Sequence, residues 1–148
     1  MKIKLFISLL LLAIIACSDD NNCANINLNA TSLETEYECL DTRYQIDINL
    51  SNDYTIIRNQ TDFDNLVSGS CEPTIDFSKY DLVIGKKGLL NGNSSIDYQL
   101  VENCKTNNLL LQVTFFQNET TEAPNLTYHS LIPNLVDEQT VDVKIIVQ

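Results

Sequence analysis

Tryptophan is absent from the 148 residues, histidine and methionine occur once each, and glycine and proline supply only four and three positions. Without Trp the usual stacking platform for sugars is missing. So few glycines, none of them in a Gly-rich run, leave no loop to cradle phosphate. One His and no Cys-x-x-Cys pair leave little from which to build a zinc site. Basic residues are scarce too: nine Lys and Arg stand against twenty Asp and Glu, a formal net charge of −11. Such a charge repels phosphate backbones and excludes nucleic acid as a partner. It also disfavours flat adsorption to anionic lipid. No apolar run approaches the ~18 residues that a membrane-spanning helix needs.

What is present begins with Lys2 and Lys4, followed by residues 5–16, an apolar stretch whose only hydroxyl is Ser8. As a helix this stretch reaches about 18 Å, against about 30 Å of bilayer core, so residues 1–16 read as a signal peptide. Ile14-Ile15-Ala16-Cys17 resembles the lipobox of bacterial lipoproteins. The resemblance implies a mature chain that starts at Cys17, its sulfur in a diacylglyceryl thioether and three acyl chains (palmitate among them) in the membrane. Several chains hold far more firmly than one, at ~0.8 kcal/mol per buried CH₂. Ser18-Asp19-Asp20 resembles the acidic export tag of surface-displayed lipoproteins in one phylum of Gram-negative bacteria. That implies an outer-membrane protein at the cell surface, with a periplasm-facing protein as the alternative. Residues 17–30, acidic and rich in Asn, read as a tether, and residues 31–148 as a single β-rich domain.

Setting Cys17 aside leaves Cys23, Cys39, Cys71 and Cys104, an even number in an exported chain and hence two disulfides. Proximity along the chain favours Cys23–Cys39 and Cys71–Cys104.

Most of residues 31–148 alternates with the period of strands. Tyr44, Ile46, Ile48 and Leu50 alternate with polar residues, and residues 54–58 follow a Ser-Asn-Asp turn, which predicts a hairpin. A short helix is expected near 61–68, with Thr61 as N-cap, Asp64 three residues on, and Gly69 as the left-handed stop. Residues 95–101 and 109–115 predict a second hairpin with Cys104 in its turn. A loop follows over 117–125, then strands at 127–132 and 141–147. Lys86 and Lys87, between Gly85 and Gly88, read as an exposed loop and the one local positive spot, a possible seat for an acidic partner. The expected fold is mainly β (α+β), a small antiparallel sheet or sandwich with one short helix.

Ile75-Asp76-Phe77, the aliphatic strand from Asp81 to Ile84, a Gly-containing loop before Tyr98, and the late Pro133 carry a further resemblance. Together they are similar to the PrcB-type C-terminal domain of bacterial protease-complex accessory subunits, over roughly residues 71–148. The segment Gly92-Asn93-Ser94-Ser95 departs from that family's Gly-Gly-Tyr-like loop. The resemblance implies a small β-rich domain that contacts another protein and has no catalysis of its own.

Candidate chemistry is thin. His129-Ser130 is the only His–hydroxyl neighbour pair, and strand neighbours point to opposite faces. Glu34, Glu36 and Glu38, or Asp62 and Asp64, supply carboxylate pairs of the sort glycoside hydrolysis uses, but twenty acids make such pairs inevitable. Asp62 and Asp64 lack the rest of a calcium loop and are more simply helix-capping residues. The expected function is a non-enzymatic, lipid-anchored extracytoplasmic domain working by protein–protein contact as an accessory or inhibitor-like module, without cofactor or metal. A glycan-binding component of an uptake system is the alternative and a small hydrolase the third reading. Mass spectrometry of mature protein from its native host should find the Cys17 sulfur acylated; an unmodified Cys17 thiol sinks the anchor.

Overall fold

The computed structural model describes residues 23–50 and 53–148; the leader, Cys17 and the Ser18-Asp19-Asp20 tag lie outside them. The most regular alternation gives the longest strands. β6 (Asn93–Glu102) and β7 (Leu109–Gln117) form the expected antiparallel hairpin, with Leu100 opposite Leu111, Tyr98 opposite Val113, and Cys104 in the turn. β9 (Val141–Val147) joins β7 in parallel, and β1 (Ile26–Leu28) pairs with the far end of β6, giving the order β1-β6-β7-β9. β1 falls inside the stretch read as tether, so ordered structure begins ahead of residue 31.

A second sheet has the order β3-β5-β8, built from β3 (Tyr54–Ile57), β5 (Tyr80–Gly88) and β8 (Asn125–Pro133), all antiparallel. Leu82-Val83-Ile84 and residues 126–132 are buried without a break, because this sheet is covered on both faces. On one face Leu126, Tyr128 and Ile132 pack against Leu100, Leu111, Val113 and Phe115 of the first sheet. The Phe115 and Tyr128 rings meet edge to face at 6.0 Å. On the other face Leu82, Ile84 and Leu131 pack against Leu33, Ile48, Phe63 and Val67.

Those last residues belong to a third layer: α1 (Leu33–Tyr37), α2 (Thr42–Gln45), α3 (Gln60–Leu66), and the short antiparallel pair β2 (Ile46–Ile48) with β4 (Val67–Gly69). The fold is mainly β, as expected, but among the described residues it carries three short helices rather than one. Among the described residues no helix is long and apolar enough to cross a membrane.

Several local expectations are corrected. Residues 44–50 and 54–58 do not form a hairpin. Tyr44 and Gln45 are helical, β2 turns to β4, and β3 pairs with β5, whose apolar run is the better buried partner. The N-cap of α3 lies two residues ahead of Thr61: Asn59 is the N-cap, its side chain accepting from Asp62 N–H at 2.9 Å while its amide donates to the Asp62 carboxylate at 2.7 Å. Only half of a capping box is formed, because the Asp62 carboxylate takes the Asn59 side-chain amide instead of its backbone N–H. Gly69 does not stop the helix. It sits in β4 at φ 137°, where a Cβ would collide with the Gln45 carbonyl.

The disulfides are Cys23–Cys104 and Cys39–Cys71, not the pairs favoured by chain proximity. β1 lies antiparallel to β6, with Ile26 beside Glu102, so Cys23 arrives at the β6–β7 turn. Lys86 and Lys87 are strand residues of β5, facing Thr127 and Leu126 of β8, and not an exposed loop.

Phe63 is 1 % exposed and fills the space between α3 and the middle sheet. Phe63→Ala should cost about 3–5 kcal/mol, read as a lowered urea midpoint at unchanged slope. A loss under about 1 kcal/mol contradicts this packing.

Candidate functional site

The polar groups that converge do so where α1 and α2 cross β8. Ser32 caps α1 by accepting from Thr35 N–H at 3.2 Å, which fixes the first turn that carries Glu34. Glu38 and Asp41 both take left-handed backbone angles, and this double bend brings Thr42 back over the strand. Thr42 N–H donates to Glu34 Oε1 at 3.2 Å, and the Thr42 hydroxyl donates to the same oxygen. From β8, His129 Nε2 lies 2.6 Å from Thr42 Oγ1 and 3.4 Å from Glu34 Oε2. Because the Thr42 proton goes to Glu34, its lone pair accepts from Nε2–H, which sets the neutral tautomer with Nδ1 bare. Among the described residues Nδ1 has no hydrogen-bond partner, and neither has Ser130 Oγ.

Burial lowers the His129 pKa; the Glu34 charge and a backbone hydrogen bond oppose this without reversing it. Burial raises the Glu34 carboxyl, yet the Thr42 hydroxyl, the imidazole, the Glu34 backbone and Ser32 together hold it below its ordinary value. Tyr98 completes the surround: its hydroxyl accepts from His129 N–H at 3.2 Å, and burial pushes its phenol far up.

A cleft of about 300 Å³ opens above this group, lined by Ser32, Glu34, Arg43, Ile96 and Tyr98. Another of about 380 Å³ continues it past Thr31, Thr35 and Asp97. Arg43 is committed within the protein. It donates to Asn93 Oδ1 at 2.9 Å and Ser94 O at 3.0 Å, pairs with Asp41 at 3.2 Å, and lies over the Tyr44 ring at 5.1 Å.

This arrangement does not have the geometry of a nucleophilic triad. In a hydroxyl–His–carboxylate triad the acid holds the ring nitrogen opposite the nucleophile. Here Thr42 and Glu34 both sit on Nε2, Nδ1 is unpartnered, and Thr42 is only 2 % exposed. Ser130 stands on the other face of β8, away from the ring. The triplet is a clasp that ties α1 and α2 to β8.

The remaining candidates are dispersed. Glu36 accepts from the Tyr80 hydroxyl at 3.2 Å, and Glu38 is the C-cap of α1, so the three glutamates do not converge. Asp62 and Asp64 serve Asn59 and Gln60 as helix-end partners, at 2.7 Å each. Lys86 pairs with Asp47 of β2 at 2.6 Å, an interaction that leads in holding the Asp47 carboxyl below its ordinary value. Lys87 follows it in the same strand and points to the opposite face, so the two lysines make no shared patch. Among the described residues no group of three His, Cys, Asp or Glu is placed to hold a metal ion. Sequence reasoning missed Thr42, Tyr98 and Arg43 as members of one cluster; nothing in the local pattern marks residues that meet across 87 positions of chain.

Compared with family models, curated proteins and solved structures, the chain gives no match.

With both folded pKa values lowered, each group adds stability above its unfolded value and loses it as pH falls, His129 from about 6.5 and Glu34 from about 4.5 downward. As the chain has a single His, the unfolding free energy from urea titrations should fall between pH 7 and 5 with a slope of at most about 1.4 kcal/mol per pH unit. His129→Gln should flatten this window. A wild-type free energy already flat there contradicts a buried neutral imidazole.

Proposed function

We propose that this chain is a lipid-anchored extracytoplasmic domain that acts by contact with another protein, as an accessory or inhibitor-like module. The Cys17 pattern supports the anchor, and two disulfides suit an oxidising compartment. The observation that carries the reading is the Cys23–Cys104 crosslink. Six residues beyond Cys17 the tether is bonded to the β6–β7 turn, so about 20 Å of chain at most separates the acyl chains from that end of the sandwich.

The loop before β9 lies at the same end, through Gln139 Nε2 donating to Asn107 O and Thr140 N–H donating to Asn108 Oδ1 at 3.3 Å. The opposite end, away from the bilayer, is made by residues 89–92 and 118–124. It presents Leu90, 86 % exposed, at the tip of the β5–β6 turn. Arg43, bonded to Asn93 and Ser94, places α2 at that end as well, with exposed Tyr44 on it and Leu40 just ahead. Exposed apolar side chains on a strongly acidic surface suit a protein partner better than a sugar. The glycan reading has less support, because one face of the exposed Tyr44 ring carries Arg43 and the Tyr98 hydroxyl is engaged by β8.

The test is crosslinking in intact cells, followed by recovery of the wild type and of Leu40→Asp/Leu90→Asp. The double variant should lose at least about nine-tenths of the recovered partner while keeping its thermal midpoint. Equal recovery from both proteins removes the contact reading.

A further inference from the structure

The sheet edges differ in how they are closed. β1 and β3 are only three and four residues long. The outer edge of β8 is covered: Thr31 and Leu131 exchange hydrogen bonds at 3.2 and 2.8 Å, and Tyr98 takes the His129 N–H. β9 is different. It is seven residues long, ends the sheet order, and pairs with β7 in an unbroken register.

Its backbone groups alternate in direction. Thr140 O accepts from Leu109 N–H at 2.8 Å, while Gln148 donates to Phe115 O at 2.9 Å and accepts from Gln117 N–H at 2.7 Å. Even-numbered residues therefore face β7, and the N–H and C=O of Val143, Ile145 and Val147 face outward. On that side Val141 O accepts from the Tyr54 hydroxyl at 3.2 Å, the one tie from β3 to this edge among the described residues. A long regular edge without Pro or bulge is a template for another strand.

The side chains say which strand. Asp142 and Lys144 are both exposed, two residues apart, on the solvent face of the sheet. In antiparallel self-pairing centred on Val143, Asp142 falls opposite Lys144 of the second copy, and the symmetry repeats the pair. Val143 then faces itself as a hydrogen-bonded pair, Val141 faces Ile145, and the charged pairs occupy the positions where side chains approach closest. We propose that β9 pairs antiparallel with β9 of a second copy about a two-fold axis at Val143, joining two four-stranded sheets into one of eight. The neighbouring edge of the other sheet is indented by a cleft of about 480 Å³ along residues 53–56, which leaves room for the approach. An extended segment of another protein would satisfy the same backbone groups, but the self-complementary Asp and Lys single out a second copy. The proposal depends on neither the lipid anchor nor the contact reading above.

Sedimentation equilibrium of the full chain in density-matched non-ionic detergent tests it. The wild type should show a concentration-dependent dimer. Asp142→Lys and Lys144→Asp each turn both symmetry-related pairs into like-charge pairs and should weaken association at least about tenfold. The double variant D142K/K144D restores the pairing and should return to within about threefold of wild type, all at unchanged thermal midpoint. A wild type that stays monomeric up to about 1 mM overturns the proposal. So does a dimer indifferent to the single reversals, or one that the double reversal fails to restore.

Discussion

β8 lies under apolar layers on both sides, yet it carries Thr127, Tyr128, His129 and Ser130, and most of the fold follows from answering those polar groups. An unmet buried hydrogen bond costs about 1–3 kcal/mol, so such groups favour a partner at a fixed place, and three of the four side chains have one; Ser130 Oγ has none among the described residues. The Thr127 hydroxyl donates to Ile46 O of β2 at 2.6 Å, and the Tyr128 hydroxyl to Asp53 O ahead of β3 at 3.3 Å. His129 takes Thr42 and Glu34, and the Leu131 backbone takes Thr31. The third layer is thus registered on the middle sheet from the strand outward. Its helices, of five, four and seven residues, are too short to hold themselves.

Two further devices keep that layer in place. Cys39–Cys71 crosslinks the α1–α2 loop to the segment after β4, with Cys39 itself in the core. A loop closed over 32 residues contributes roughly 3–4 kcal/mol in the chain-entropy account, and one over 81 roughly 4–5. Asp81, 3 % exposed, accepts from Leu135 N–H at 2.9 Å and Asn134 Nδ2 at 3.2 Å, and Arg58 reaches it at 3.5 Å. One buried carboxylate thereby fixes the turn that sends the chain from the middle sheet back to the outer one.

Alternation is clearest in the strands with one wet face, although 81–84 and 127–132, buried on both faces, were also expected as strands. Residues 95–101, 109–115 and 141–147 alternate because the sheet β1-β6-β7-β9 has solvent on its outer side, and their pattern carried the β6–β7 hairpin. Residues 44–50 alternate just as well, yet Tyr44 and Gln45 became the end of α2. The ties there are long-range ones, Thr42 to β8 and Arg43 to β6, which no local period encodes. Both helix ends were misplaced for a similar reason. Asn59 and Asp62 cap as well as Thr61 and Asp64, and what selects the earlier start is Phe63 reaching the core. The Cys23–Cys104 disulfide was hidden because it follows from β1 pairing with β6, a partner far away in sequence. The clasp was hidden altogether: Glu34 sat among twenty acids, and the sole His drew attention only to its sequence neighbour.

Charge constrains what such a surface can meet. Of the basic residues, Arg43, Arg58, Lys79 and Lys86 are spent on Asp41, Asp81, Asp76 and Asp47. Among the described residues this leaves Lys87, Lys105 and Lys144 as cations outside an ion pair. The net charge is strongly negative, and its field is screened beyond about 10 Å at 0.1 M salt. An acidic partner is repelled during approach and gains nothing from steering. Any stable contact has to draw on short-range terms: backbone groups at an open edge, apolar side chains at a loop tip, or a lone Lys placed against one carboxylate. The chain offers those at two separate places, the Leu90 end and the β9 edge, and at both the cost of bringing acidic surfaces together falls as ionic strength rises.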